Sequence, residues 1–383
     1  MVAGKDSVGT AVPFVIGAAC ASYSLKIFYV NSGELAALSV LSISAAVISG
    51  LLLWKSRHRG LLYFLAMSGG AAAVLISGQS YAASSSGAAG VIGGWSYAFR
   101  DFIDSLPFPD GRCNALVKAF LTGDQSDIGL KTRNAFRESG ASHLLALSGM
   151  HLSLIYLVIS RLLSVMGNTP AVRVTRSVLI IIVSAFYTIL TGAAPSLTRA
   201  FYFILLRECS LLTGRCPENM DILCSALLVQ VAICPHTVTS VGFQLSYLAM
   251  TGIYLMYRPI DSLWEKSFRN RDRHRETDTE KKTVTEYRFQ YICISLRKIW
   301  SMCSLSVSCQ IATAPAVLLY FGTFPQYFLI TNLLCIPLSN IIIVLSLFAL
   351  PLHSAGICPG ILLNTVNQLA DCMIWILETI ASL

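Results

Sequence analysis

The chain has 383 residues, of which 55% are hydrophobic and only 13% are charged, about half the charged share of an average soluble protein. This composition, with a mean hydropathy of +0.65, excludes a soluble enzyme, a disordered protein and a small disulfide-bonded domain. The net charge of +8 does not by itself indicate nucleic-acid binding, because basic residues also collect in the cytoplasmic loops of membrane proteins.

Apolar runs of about 20 residues recur along the chain, and this length crosses a bilayer as a helix. The sequence therefore predicts an all-α fold: a polytopic integral membrane helical bundle with about 11 spans. The predicted spans are residues 10–30, 35–54, 61–78, 143–165, 177–192, 196–213, 221–235, 240–257, 299–321, 326–351 and 359–381.

Two regions are predicted from a change in character near residue 95. Residues 1–95 form an N-terminal three-helix membrane region, and residues 96–383 form a second membrane region with a cytosolic loop, 258–298. Two amphipathic pieces of the second region are too polar to span. We expect them to lie as interfacial helices, from Phe99 to Leu106 and from Asn114 to Leu121.

The distribution of Lys and Arg predicts the orientation of the chain. If the N-terminus is cytoplasmic, the basic stretch Lys55–Arg59 and the 258–298 loop, which carries 11 Lys or Arg, both lie inside. Segment 79–142 then lies outside. The turn near His353 has no Lys or Arg, and counting the spans alone places it inside.

The stretch from His143 to His151 places two histidines, a serine and a glycine at the start of an apolar run. Polar groups are costly in hydrocarbon and usually face a cavity or a partner helix. Ser148 and His151 are three residues apart and can share a helix face, while Gly149 permits a kink. In the alternative interpretation, His143 caps the helix at the interface and Ser148 with Gly149 forms a close-packing site.

Two further polar residues lie within predicted spans. Arg199 enters an apolar run four residues after Pro195. Its guanidinium suits a phosphate contact at a channel mouth, or its side chain extends to the outer interface. Gln244 lies in a later span, where hydrogen bonding between helices is the default explanation.

The sequence has no Walker loop, no HExxH and no GxSxG motif. Its 12 cysteines contain no CxxC pair and lie mostly in apolar runs, so they resemble buried hydrophobic residues more than a metal site. No cofactor, no metal ion and no catalytic residue is predicted.

Six motifs, taken in order, resemble the membrane-embedded competence region of the ComEC family, the bacterial channel for DNA uptake during natural transformation. They are Phe120–Asp124, His143–His151, Pro195–Arg199, Gly242–Leu248, Gln310–Pro315 with Phe321–Gly322, and Asn332–Pro337. The resemblance implies a membrane channel component that translocates single-stranded DNA across the bacterial cytoplasmic membrane. The residues expected to line the DNA path, by hydration and phosphate contact, are His143, Ser148, Gly149, His151, Arg199 and Gln244.

Long members of that family also carry an extracytoplasmic oligonucleotide-binding barrel and a C-terminal metallo-β-lactamase-like domain. Residues 79–95 are too few for a five-stranded barrel, and no metal-ligand cluster is found, so no nuclease activity is expected of this chain. The expected partners are single-stranded DNA, membrane lipids, a cytosolic motor protein, and a separate extracytoplasmic DNA receptor or nuclease. The oligomeric state is not predicted.

Three other functions stay open on the residues alone. A small-molecule or lipid-linked transporter would be expected to show inverted repeats, and no convincing repeat is found. An intramembrane hydrolase would use Ser148 with His151, but a third orienting group and an oxyanion hole are not evident. The third alternative is a non-conducting membrane interaction protein.

Overall fold

The computed structural model describes residues 3–27, 42, 66–74, 88–167, 169–214, 216–272, 284–357 and 359–382. All regular structure in these ranges is helical, which confirms the predicted all-α class for them. The α-helices are α1 (Ala3–Ile27), α2 (66–74), α3 (Ala88–Asp104), α4 (Gly111–Thr122), α5 (Leu130–Glu138), α6 (Ser142–Leu145), α7 (Gly149–Leu163), α8 (Pro170–Leu190), α9 (Pro195–Leu212), α10 (Asn219–Ile233), α11 (Val241–Asp272), α12 (Val284–Phe321), α13 (Phe328–Ser354) and α14 (Gly360–Ala381).

Five helical stretches in the described residues are long and apolar enough to cross a membrane. They are Gly149–Met166, Pro170–Leu190, Ser295–Phe321, Phe328–Ser354 and Gly360–Ala381. The predicted count of about 11 spans is not confirmed. Helix α10 has only 15 residues, fewer than the roughly 20 that a bilayer requires, and the predicted span 35–54 lies outside the described residues except for residue 42.

Most of the predicted cytosolic loop, 258–298, is helical where it is described. Helix α11 continues to Asp272, and α12 begins at Val284. Arg297 and Asp261 join these two helices through a bidentate ion pair, with N–O distances of 2.9 and 2.7 Å. Mixed charges of both signs stabilise exposed helices, so the polar composition that predicted a loop is equally suited to helices extending beyond the apolar stretches.

The described residues form two compact units. The first is formed by the described residues within 1–128, 145–244 and 342–367, and the second by those within 129–144, 245–341 and 368–383. In the first unit, α7, α8 and α9 share an apolar core that includes Leu152, Ile155, Ile180, Leu197 and Ile204. Leu347 of α13 packs against this core, and α1 packs against α10.

Helix α4 is a core helix, although its amphipathic sequence predicted an interfacial one. Nine of its 12 residues are buried, and Phe120 and Leu121 are completely so. The hydroxyl of Tyr187 on α8 donates a hydrogen bond to the carbonyl oxygen of Leu121, at 2.8 Å. A helix buried around most of its circumference packs in protein and not against lipid. Its position at the membrane interface stays a prediction.

The lysine of α4 is paired with carboxylates inside the protein. Lys118 Nζ lies 2.6 Å from Asp104 Oδ2 and 2.8 Å from Asp127 Oδ2, and its side chain is only 10% exposed. Burial alone would lower the pKa of Lys118, but its hydrogen bonds to the two carboxylates raise it above the ordinary value. The lysine therefore stays charged in its buried position.

The turn after α13 lies beside the end of α3. His353 Nε2 is 3.1 Å from Ser105 Oγ, and the His353 ring centroid is 5.7 Å from that of Phe102. Counting spans predicted opposite membrane faces for these two segments, and the contact contradicts that prediction. Counting assumes that every apolar run crosses the bilayer once, and the count of about 11 spans on which it depends is not confirmed.

We expect cysteines at positions 105 and 353 to cross-link in membranes. The variant Ser105→Cys/His353→Cys, with a protease site inserted between residues 273 and 283, should stay in one piece after cleavage once a short bis-maleimide has reacted, because the native side chains are in contact. The two single variants keep every native cysteine and serve as controls. If the double variant separates as readily as they do, the two segments are not neighbours.

Candidate functional site

The helix predicted across residues 143–165 is broken near its start. Helix α6 ends at Leu145 and α7 begins at Gly149, and Ser148 is extended (φ −114°, ψ 161°) at the N-cap of α7. Residues 146–148 are not helical. The break leaves polar backbone groups without helical partners, and within a membrane such groups must be satisfied by protein or water.

Side chains from two other segments satisfy the freed carbonyl groups. Gln125 Nε2 donates to the carbonyl oxygen of Leu145 at 3.2 Å, and Ser196 Oγ donates to that of Leu147 at 2.6 Å. Gln125 follows α4 in the chain, and Ser196 is in the first turn of α9. The conformation of the break is therefore held by contacts from both sides.

His151 lies in the first turn of α7 and is completely buried. Its Nδ1 accepts a long hydrogen bond, 3.4 Å, from the backbone N–H of Ser148, and its ring centroid is 6.2 Å from that of Phe120. Ser148 Oγ is not hydrogen-bonded to either imidazole nitrogen. The serine–histidine pair that a hydrolase requires is therefore not formed between these two residues.

Arg199 reaches inward to the start of α7. The residue is 8% exposed, and its guanidinium lies against Gly149. A Cβ added to Gly149 would collide with Nη2 of Arg199 and lie 3.2 Å from the Cβ of Ala200. Gly149 is thus a close-packing position, and its missing side chain leaves the space that the guanidinium occupies.

The turn before α9 sets the position of Arg199. Gly192 (φ 77°) and Ala193 (φ 53°) are both left-handed, which is a strained conformation for alanine. Gln230 of α10 donates to the carbonyl oxygen of Pro195 at 3.1 Å. Sequence reasoning missed Gln230, although an amide inside an apolar run was the signal it used for Gln244.

The other two predicted site residues have hydrogen-bond partners of their own. Gln244 Nε2 donates to the carbonyl oxygen of Val238 at 2.9 Å, so it links the first turn of α11 to the segment just before it. His143 belongs to the second unit. It is exposed, and its Nδ1 lies 3.2 Å from the carbonyl oxygen of Gly140, as expected for a residue at a helix end.

The structure therefore groups four of the six predicted residues, which we call the α7 cluster: Ser148, Gly149, His151 and Arg199. The N-terminal end of a helix carries partial positive charge and favours anions, and a guanidinium presents donors that match phosphate oxygens. Three of the four residues are buried. Contact with a large anion requires the surrounding helices to separate.

A second buried polar group lies in the same unit, and the sequence did not indicate it. Glu208 of α9 is 3% exposed. Its carboxylate accepts hydrogen bonds from Tyr156 of α7 at 2.9 Å and from Ser177 of α8 at 2.7 Å. One carboxylate thus connects three helices, and its only signal in the sequence is an acidic residue inside an apolar run.

Two comparisons relate the chain to known proteins. The model of the protein family described as "Competence protein" matches residues 120–383. The chain is 28% identical over 154 residues to ComE operon protein 3 of Bacillus subtilis (strain 168), a match that covers 40% of this chain and 19% of that protein. The aligned part is thus about a fifth of the length of that curated relative. No solved structure matches the chain.

Proposed function

The chain belongs to the Competence (ComEC) protein family, and on this premise we propose that it is a membrane channel component that translocates single-stranded DNA across the bacterial cytoplasmic membrane during natural transformation. Family membership supports a role in competence DNA uptake, and the long apolar helices support a location in the membrane. The passage of the strand through this chain is the proposal.

The observation that carries this proposal is a buried arginine at the start of a membrane helix. Arg199 is 8% exposed and lies against Gly149, at the N-terminal end of α7. A charged side chain is expensive in a membrane and usually marks the path of a substrate or an ion. A single DNA strand carries one negative charge per nucleotide, so its path needs cationic contacts that do not depend on base sequence.

In this proposal the α7 cluster is a constriction that closes the DNA path in the observed conformation. His151 and Gly149 are buried, so the strand cannot pass while α7 and α9 are in contact. When these helices separate, the guanidinium and the N-terminal turn of α7 become accessible to phosphate. Hydration and phosphate contact are the roles of these residues, and no bond of the DNA is broken by them.

The proposed partners supply what this sequence does not. Because no Walker loop is found in the chain, a cytosolic motor protein provides the driving force, and segment 258–298 is where it is proposed to dock. A separate extracytoplasmic receptor or nuclease delivers the strand. The N-terminus is proposed to be cytoplasmic, because that orientation places most basic residues inside.

We expect Arg199→Ala to reduce DNA uptake by about 10- to 100-fold. Hydrogen bonds to charged groups contribute about 1.5–3 kcal/mol, and each 1.36 kcal/mol changes a rate about tenfold. Uptake of fluorescent DNA is measured in cells whose chromosomal copy carries the change, divided by the amount of the protein in the membrane. Arg199→Lys, which keeps the charge without the planar donors, should give an intermediate value.

Arg207→Ala is the matched control, because Arg207 lies on the same helix and is exposed. Its uptake should equal that of the wild type. Unchanged uptake in Arg199→Ala would remove this arginine from the path. Normal transformation of a deletion strain would favour a small-molecule or lipid-linked transporter, or a non-conducting membrane interaction protein.

A further inference from the structure

We infer that Gln125 and Ser196 are positioning residues, which hold residues 146–148 in the unwound conformation that presents the first turn of α7 to Arg199. The positioning of residues 146–148 rests on the observed contacts alone. Its effect on DNA uptake rests on the proposed function.

The local sequence explains the break only in part, because Ser148 is a favoured N-cap residue and Gly149 permits a kink. Residues 146–148 are Ala-Leu-Ser, and alanine and leucine are among the best helix formers. No proline lies in or next to these residues, and Gly149 is itself helical, as the first residue of α7. A membrane further favours continuous helix, because helical hydrogen bonds satisfy the backbone internally. Contacts from other segments therefore help to stabilise the break.

Two side chains provide those contacts at the two positions where the helix would need them. In a continuous helix the carbonyl oxygen of Leu145 would accept from the N–H of Gly149, and that of Leu147 would accept from the N–H of His151. Instead, Gln125 and Ser196 donate to these oxygens. Carbonyl groups left without a donor in a buried site are costly, so these side chains favour the break over the helix.

The two positioning residues belong to segments that also contact the α7 cluster. Ser196 and Arg199 are three residues apart on α9, so one helical turn holds Leu147 and brings the guanidinium to Gly149. On the other side, Gly123 ends α4 in a left-handed conformation (φ 75°), and a Cβ on it would lie only 2.8 Å from Cγ of Leu147. The break is therefore clamped between the end of α4 and the start of α9.

The test compares Ser196→Ala and Gln125→Leu with Ser196→Thr, which keeps the hydroxyl. Thr198→Ala is the matched control, because Thr198 is in the same turn of α9 but its hydroxyl bonds to the carbonyl oxygens of Ala193 and Ala194. Hydrogen exchange is measured by mass spectrometry on the full chain in lipid nanodiscs. We expect exchange of amides 147–151 to be about 3- to 10-fold faster in Ser196→Ala and Gln125→Leu, and unchanged in Ser196→Thr and Thr198→Ala.

Uptake of labelled DNA per membrane protein gives the second readout. We expect Ser196→Ala to lower uptake about 3- to 10-fold in the wild-type background. In the Arg199→Ala background it should not lower uptake further, because the guanidinium that the first turn of α7 contacts is already absent. If the hydrogen bond of Ser196 only stabilised the protein, the fold-losses in uptake of Ser196→Ala and Arg199→Ala would multiply in the double variant. Unchanged exchange, or the same loss in both backgrounds, overturns the inference. Faster exchange with normal uptake supports the positioning of the break and overturns the proposed function of the α7 cluster.

Discussion

Valine in place of Gly149 should reduce DNA uptake by about 10- to 100-fold. The added side chain would occupy the position of the Arg199 guanidinium and press on Ala200. Overpacking of this kind costs about 1–3 kcal/mol, and the displaced guanidinium would no longer lie at the start of α7. Uptake of labelled DNA is measured as for Arg199→Ala, with the amount of folded protein determined in parallel.

The control is Gly360→Val. Gly360 is the first residue of α14, as Gly149 is of α7, but nothing lies within 4 Å of a Cβ built on it. This variant should behave as the wild type. The double variant Gly149→Val/Arg199→Ala gives a further check, because removal of the guanidinium creates space for valine. If Gly149→Val is no less stable than wild type, or if Arg199→Ala does not restore its stability, the contact is not as close as described.

Leucine in place of Glu208 should destabilise the first unit by about 2–4 kcal/mol. The change leaves the hydroxyls of Tyr156 and Ser177 without their acceptor, and each unsatisfied buried group costs about 1–3 kcal/mol. Hydrogen bonds between membrane helices often contribute less than this, which favours the lower part of the range. The free energy of unfolding is measured by titrating the purified protein from mild detergent into a denaturing one.

Glu208→Gln is the matched control, because its amide keeps one acceptor oxygen at nearly the same volume. This variant should lose about half as much stability as Glu208→Leu. Tyr156→Phe should destabilise the wild type but recover part of the loss in the Glu208→Leu background, where it removes a hydroxyl that has lost its acceptor. Equal stability of Glu208→Leu and the wild type would show that this carboxylate does not connect the three helices.

The sequence predicted the helical class because hydropathy acts over the whole length of a segment. Runs such as 326–351 and 359–381 correspond closely to α13 and α14. Six motifs in order identified the family that the comparison then matched over residues 120–383. These predictions succeeded because helix formation in an apolar run depends mainly on the residues of that run.

The sequence did not predict the contacts between segments that are distant in it. The amphipathic pattern of α4 suited a lipid interface, but Lys118 finds two carboxylates and the helix packs in protein. The turn at His353 was placed by counting, and its contact with Ser105 contradicts the count. The sequence of an amphipathic helix or a short turn does not determine which other segment packs against it.

The sequence by itself determined that this chain is helical, apolar enough for a membrane, and equipped with a few polar residues at recognisable positions. Only the tertiary structure decided which of those residues meet: Arg199 fills the space left at Gly149, while Gln244 bonds within its own segment. The break before α7 illustrates the reason. Ala146 and Leu147 favour helix, but hydrogen bonds from Gln125 and Ser196 satisfy the carbonyl groups of the unwound backbone. Gln125 is 20 residues from its acceptor Leu145 in the chain, and Ser196 is 49 residues from Leu147.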